Sequence, residues 1–278
     1  MKWGNIFTPA KVVTEKEAKD YMDKHETGSY QLVDVRTPEE YEEHHLPGAK
    51  LVPLNSLMEG GGNLDPEKPA IVYCRSGGRS KAATQWMSNQ GFKEVYDISS
   101  NITTWLGLQL EGGYEYDLNL IRSDVEFSDA FGLAYAMEEG LQQFYLELEK
   151  GEERQELKAV YKKLAGFEDL HKEQLLKQNK DADCLDISEI LAKQGDVVEG
   201  GEANRFSPFQ IIKIMKEIQD IYALALAIEA QSFDLYVRLA DKAENEETRK
   251  LFLHMADEEK THMNYITNEL SNYIKQVA

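Results

Sequence analysis

Three side chains suited to metal binding recur in the second half of this chain after a constant shift of 91 residues, making six in all. Glu138, Glu168 and His171 map onto Glu229, Glu259 and His262, and the aromatic Tyr145 maps onto Tyr236, with no gap. Each copy reads Glu, then Tyr seven residues on, then a Glu-x-x-His motif thirty residues after the first Glu. Apolar positions keep the register: Ala136 and Ala227, Leu148 and Leu239, Tyr161 and Phe252, Ala165 and Ala256. An internal repeat of this kind predicts two similar helical hairpins stacked on each other.

At 3.6 residues per turn, a Glu and a His three apart project from one helix face, so both reach the same ion. Two such pairs plus one Glu from each remaining helix supply four carboxylates and two imidazoles, the ligand set of a carboxylate-bridged dinuclear site in a four-helix bundle. Hard oxygens with imidazole suit iron or manganese, and zinc stays open as a substitute. Glu138 and Glu229 follow apolar runs, Leu133–Met137 and Tyr222–Ile228. A carboxylate on such a stripe is costly unless paired or metal-bound.

The helices are expected as follows. Ser123, with Glu126 in capping-box spacing, starts the first, which runs to Lys150, and Gly151 turns the chain into a second ending near Lys180. Ser207-Pro208 starts the third, continuing to Asp241, and the fourth fills Glu246 to the end. A polar stretch over residues 181–206 is long enough to cross the bundle, and equally permits the hairpins to be exchanged between protomers of a homodimer.

The pattern resembles the ferritin-like superfamily, and most closely the rubrerythrin-type di-iron proteins. The resemblance implies two iron ions that reduce hydrogen peroxide. Glu168 and Glu259 would bridge them, Glu138 and Glu229 serve as terminal carboxylates, and His171 and His262 supply the imidazoles. Tyr145 and Tyr236 would hydrogen-bond the cluster, intercept one-electron oxidants, or simply fill the core. One departure is Ser232, three residues after Glu229, where rubrerythrins that move an iron between a His and a Glu carry an extra carboxylate. A metal-binding or sensing bundle without peroxidase turnover, regulating the other half, is the alternative.

The first half carries a different signature. Ala70–Tyr73 is a short apolar run ending at Cys74, followed by Arg75, Ser76, Gly77, Gly78, Arg79 and Ser80 and then a helical stretch, Lys81–Asn89. A strand that stops at Cys, a Gly-rich loop and a helix start aim several backbone N–H groups at the sulfur and stabilise a thiolate or persulfide. Arg75 and Arg79 would add positive charge for an anionic sulfur donor. Leu32–Arg36 reads as another strand.

Asp34-Val-Arg36, the helix at Glu39–Tyr41, His45-Leu-Pro-Gly-Ala49 and Cys74–Arg79 together are similar to a single-domain rhodanese, a sulfurtransferase of the α/β class with a parallel sheet flanked by helices. That resemblance makes Cys74 the persulfide carrier, places Asp34, Arg36 and the loop from Arg75 to Arg79 in the site, and implies thiosulfate or a persulfide as donor and a thiol as acceptor. The six-residue span from Cys74 to Arg79 matches sulfur-handling members; related phosphatases carry one residue more. The segment Asp97–Trp105 lacks the Gly-Gly pair usual before the late Trp. His44 and His45 are expected to be structural or solvent-facing.

The expected layout is therefore an α/β domain over residues 1–115 and an all-α ferritin-like four-helix bundle over residues 122–278. A net charge of −19 disfavours nucleic acid and anionic membranes as partners. No run of 18 apolar residues occurs and the start, Met1-Lys-Trp-Gly-Asn, lacks a signal-peptide core, so a cytoplasmic location is expected. Two cysteines, Cys74 and Cys184, fit a reducing compartment. They cannot hold the two Cys-x-x-Cys pairs of a rubredoxin-like centre, so electrons are expected from an external donor. Cys184, in the crossover, reads as a packing residue or as a resolving thiol.

Overall fold

A computed structural model describes residues 10–98, 102, 105, 108–114, 127–178 and 212–277. The chain divides into two compact units, Met1–Tyr116 and Asp117–Ala278.

The first unit is a five-stranded sheet, all of whose pairings are parallel, in the order β1-β5-β4-β2-β3. In chain order its elements are β1 (Lys11–Val13), α1 (Glu15–Lys24), β2 (Gln31–Asp34), α2 (Pro38–Glu43), β3 (Lys50–Leu51), α3 (Leu54–Met58), β4 (Ala70–Tyr73), α4 (Gly78–Asn89) and β5 (Val95–Ile98). Thr14 and Thr37 start α1 and α2 through capping boxes with Glu17 and Glu40, each satisfying two N–H groups that a helix start would leave open. All four residues of β4 are buried, as befits a central strand covered on both faces. Side chains alternate: Ile71 and Tyr73 join one apolar cluster, while Val72 and Cys74 join another with Ala83 and Met87 of α4. That alternation places the Cys74 thiol against the helix that follows it.

Two expectations shift here. The strand predicted over Leu32–Arg36 ends at Asp34, because the Asp34 side chain turns back to accept from the Arg36 N–H. The helix predicted from Lys81 starts at Gly78, because Gly77 takes a left-handed φ of 84° and ends the loop earlier.

Among the described residues the second unit has four long helices, α5 (Phe127–Gly151), α6 (Gln155–Gln178), α7 (Ile218–Lys242) and α8 (Glu246–Val277). α5 packs on α6 and α7 on α8, while α8 also meets α5 and α6 meets α7. The cores of this unit fall into two apolar clusters. One takes Phe131–Met137, Leu175, Phe233–Ala240 and Leu251–Ala256; the other takes Leu141–Leu148, Leu157–Ala165, Ile221–Ile228 and Ile266. On every helix the predicted metal ligands fall in the sequence gap between those clusters, so one acidic layer interrupts an otherwise apolar interior.

The third helix does not run unbroken from Ser207. Residues 215–217 are non-helical, Glu217 is the cap of α7, and Asp220 accepts hydrogen bonds from Lys216 N and Glu217 N. Ser123–Glu126, Ser207-Pro208, Cys184 and the crossover at 181–206 lie outside the described residues. No helix among the described residues is long and apolar enough to cross a membrane.

Candidate functional sites

In the first unit Cys74 follows β4 directly, and its sulfur is buried. Sγ accepts from the N–H of Gly77 at 3.2 Å and of Ser80 at 3.3 Å, and the Ser80 hydroxyl oxygen lies 3.6 Å away. The left-handed turn at Gly77 makes this possible, since it folds the loop so that successive N–H groups point inward. Burial, the largest influence, pushes the thiol pKa up. The Ser80 N–H and hydroxyl and the N–H groups of Ser76 and Gly77 outweigh it, and the net shift is below 9.0. The cradle favours the anionic form of this sulfur.

The loop arginines separate. Arg75, Ser76 and Gly78 are exposed. Arg79 instead grips Glu40 of α2 through two hydrogen bonds, of 2.5 and 2.7 Å. The Arg79 guanidinium, ahead of the opposing effect of burial, holds the Glu40 carboxyl down at about 2. Glu40 therefore ties the loop to the helix cap it completes, and Arg75 is left as the loop's exposed cation.

Asp34 and Arg36, predicted to be site residues, form a buried pair that shapes the surroundings. The Arg36 guanidinium donates to both Asp34 oxygens at 2.7–3.0 Å and to the His44 carbonyl at 2.6 Å, and it lies 5.6 Å above the Tyr73 ring. His45 stacks on Tyr41 at 3.8 Å and bonds to the Tyr41 carbonyl, while Tyr73 accepts from Leu46 N. The Asp-Val-Arg and His-Leu-Pro-Gly-Ala motifs thus brace one another.

Ser80 is the residue that motif reading passed over. Ser80 stood only as the end of the loop, although its spacing from Cys74 puts it in the first turn of α4.

In the second unit three carboxylates from three helices converge on Nδ1 of His171. Glu138 of α5 lies at 2.8 Å, Glu168 of α6 at 3.5 Å and Glu259 of α8 at 3.9 Å. Glu229 of α7 approaches His262 Nδ1 at 3.7 Å, and the two imidazoles stack at 3.9 Å. Candidate ligand atoms form two groups within 4.8 Å, Glu138–His171–Glu259 and Glu229–Glu259–His262. Glu259 is common to both, and Glu168, expected with it as a bridge, belongs to neither. Glu168 feels the charges of both Glu138 and Glu229, one from each hairpin.

All four carboxylates are at most 1% exposed, and among the described residues neither oxygen of Glu168 or of Glu229 has a hydrogen-bond partner. Burial above all, with the neighbouring carboxylates, pushes Glu168 well above the usual range. Burial also opposes the charge on Glu229, but Glu259, His262 and His171 outweigh it and hold its pKa down. For His171 burial works against the charged form and Glu138 and Glu168 overcome it, raising the imidazole to about 12. A buried cluster this negative requires cations. The donor set fits two hard metal ions; without them, protons fill the role.

Tyr145 and Tyr236 are both fully buried. Tyr236 donates to Glu138 Oε1 at 3.1 Å, so the tyrosine of the second repeat orients the carboxylate of the first. Ser232, where a further carboxylate would stand, is buried and donates to the Ile228 carbonyl at 3.1 Å.

Comparison with known proteins agrees with both halves. Residues 16–108 match the model of the rhodanese-like domain, and residues 220–277, essentially the α7–α8 hairpin, match that of rubrerythrin. The thiosulfate sulfurtransferase GlpE of Coxiella burnetii is 39% identical over 74 residues, covering 27% of this chain and 69% of that one. The rhodanese-like/PpiC domain-containing protein 12 of Arabidopsis thaliana is 42% identical over 79 residues, and this chain spans 26% of its length. The putative sulfur carrier protein YrkF of Bacillus subtilis is 35% identical, with 43% of its length spanned. Among solved structures, a rhodanese from E. coli is 27% identical with a TM-score of 0.27, covering 30% of this chain and 99% of that one. By its first unit the chain belongs to the rhodanese family, and it is a fusion of a rhodanese-like domain with a rubrerythrin domain.

Proposed function

We propose that the protein is bifunctional, carrying sulfur on Cys74 and reducing hydrogen peroxide at a di-iron site in its helical half. The observation that carries the first activity is the ring of donors around Cys74 Sγ, which stabilises an anion at a buried sulfur. The Cys74 thiolate attacks the outer sulfur of thiosulfate, the sulfur–sulfur bond of the donor breaks, and sulfite leaves with the electron pair. A thiolate acceptor then takes the terminal sulfur from the Cys74 persulfide and regenerates the thiolate. A low-molecular-weight persulfide serves as donor by the same exchange, with a thiol leaving. The Gly77 and Ser80 N–H groups hold the negative sulfur at both stages, and exposed Arg75 draws the anionic donor in. Conversion of thiosulfate and cyanide to thiocyanate by the wild type, and its loss in Cys74→Ser, tests this activity. Turnover that survives Cys74→Ser would end it.

The second activity is supported by the convergence of Glu138, Glu229, Glu259, His171 and His262, with Glu168 3.5 Å from His171, in a buried layer between two apolar clusters. When bound, two irons would supply the electron pair that peroxide takes up on reduction to water. Glu138, Glu168, His171, Glu229, Glu259 and His262 would hold them, and Tyr236 holds Glu138 in orientation. The aliphatic and aromatic layers on either side exclude bulk water. Electrons would come from a separate donor, and a cytoplasmic homodimer is the assembly we favour. Anaerobic mixing of reduced, iron-loaded protein with peroxide tests the activity. Oxidation no faster than that of free ferrous ion would leave a metal-binding module without turnover.

A further inference from the structure

Lys172 follows the candidate ligand His171 on α6, yet it is only 7% exposed. Its ammonium reaches across to α5, donating to Glu139 Oε2 and to Gln142 Oε1, both at 2.5 Å, and it lies 3.3 Å from Asp169 of its own helix. Glu139 in turn follows the candidate ligand Glu138, and its other oxygen accepts from the Gln143 amide at 2.8 Å. The Gln142 amide returns the link, donating to the Ala165 carbonyl of α6 at 3.4 Å. Along α6 the anchor points Ala165 and Lys172 bracket Glu168 and His171, and along α5 Glu139 and Gln142 come directly after Glu138. The two helices are therefore pinned to each other at the level of the ligands.

The second hairpin cannot repeat this link. At the shift of 91 residues, Glu139, Gln142 and Lys172 become Ala230, Phe233 and Met263, and Asp169 becomes Lys260. Apolar side chains at those three positions make no charged bridge between α7 and α8. The ligand pairs differ in the same sense. His171 Nδ1 lies 2.8 Å from Glu138 and its side chain is 1% exposed, whereas His262 Nδ1 lies 3.7 Å from Glu229 and its side chain is 12% exposed. Burying a lysine is costly unless it is fully bonded. The repeat carries a methionine at the same place, so helix packing alone does not require a cation there.

We propose that Lys172 is a positioning residue for one of the two metal positions, holding α5 and α6 at the spacing that Glu138 and His171 need. The position built on Glu229 and His262 has no such brace. The proposal rests on the helical half binding two metals, and the test separates the two. Charge alone gives effects of opposite sign. A lysine near a bound cation repels it and a carboxylate attracts it, so Lys172→Met would tighten binding while Glu139→Ala weakened it. A brace gives one sign: both variants weaken binding, by about 10-fold to 100-fold, the usual cost of losing a group that orients a ligand.

Cobalt(II) titrated into the metal-free full chain against a competing chelator gives the number and affinity of the binding steps. His171→Ala and His262→Ala assign each step to its hairpin. Lys172→Met and Glu139→Ala are each expected to weaken the His171 step and to leave the His262 step unchanged. The double variant Glu139→Ala/Lys172→Met, which copies the second hairpin, is expected to match either single variant, since the two groups act as one link. Tighter binding in Lys172→Met, equal weakening of both steps, or no change in either would overturn the proposal while two cobalt ions still bound. If a single variant does not fold, the double variant, which buries no unpaired charge, decides by the same criterion. A wild type that takes up no cobalt would remove the two-metal reading and the proposal with it.

Discussion

Arg36→Met isolates the pair that braces the sulfur loop. The Asp34 carboxylate is fully buried and receives the Arg36 backbone N–H and three side-chain hydrogen bonds. The same guanidinium satisfies the His44 carbonyl. Removing it leaves a buried carboxylate without its counter-charge, a change worth about 3–5 kcal/mol. That is a large share of the roughly 5–15 kcal/mol that holds a domain together. With a urea m-value of about 1–3 kcal/mol per M, the unfolding midpoint falls by roughly 2 M. The assay can be confined to one half of the chain, because Trp3, Trp86 and Trp105 all precede residue 116 while the second unit has no tryptophan. Tryptophan fluorescence therefore reads the sulfur domain, and the far-ultraviolet signal is dominated by α5–α8. In the double variant Asp34→Leu/Arg36→Met both charges are gone, and most of the loss is expected to return. A single-variant loss below about 1 kcal/mol, the range of an exposed pair, or a double variant no better than the single, would refute the reasoning.

Three further outcomes are expected. Alkylation of Cys74 rises with pH through a midpoint below the ordinary thiol value of 9.0, since the loop donors lower it; thiolate is lost as pH falls through that midpoint, and a value at or above 9.0 contradicts the cradle. Loading the metal-free protein with ferrous ion near pH 7 releases protons, because His171 holds its proton up to about 12 until a cation takes its place; a weakly buffered indicator that records no acidification rules this out. Tyr236→Phe keeps the fold but loses the bond to Glu138, so metal affinity falls by about 10-fold to 100-fold. A competitive chelator titration checks that loss, and unchanged affinity would make the tyrosine a packing residue.

Much of this was legible because the determinants are local. The Glu-x-x-His spacing puts two candidate ligands on one helix face, and the shift between the repeats does the rest, so all six candidates could be named before the structure placed them in one buried layer. The Cys-to-Arg loop is equally local. What escaped reading depends on how elements meet. Nothing in the chain order tells that Tyr236 of the second repeat serves Glu138 of the first, since this follows from the packing of two hairpins. Arg79 looked like a cation for substrate because its partner, Glu40, lies 39 residues away on another helix. The break before α7 was missed because Ser207-Pro208 is a strong start signal, whereas Asp220 capping its own turn from within is a weak one.

Iron content per chain, measured by elemental analysis on protein purified without oxygen, tests the union of the two activities most directly. The six converging ligands predict about two irons per chain, with binding lost in Glu259→Ala, since Glu259 is common to both ligand groups. Iron well below one equivalent, with no uptake on reconstitution, would make the acidic layer structural and leave sulfur transfer as the protein's sole chemistry.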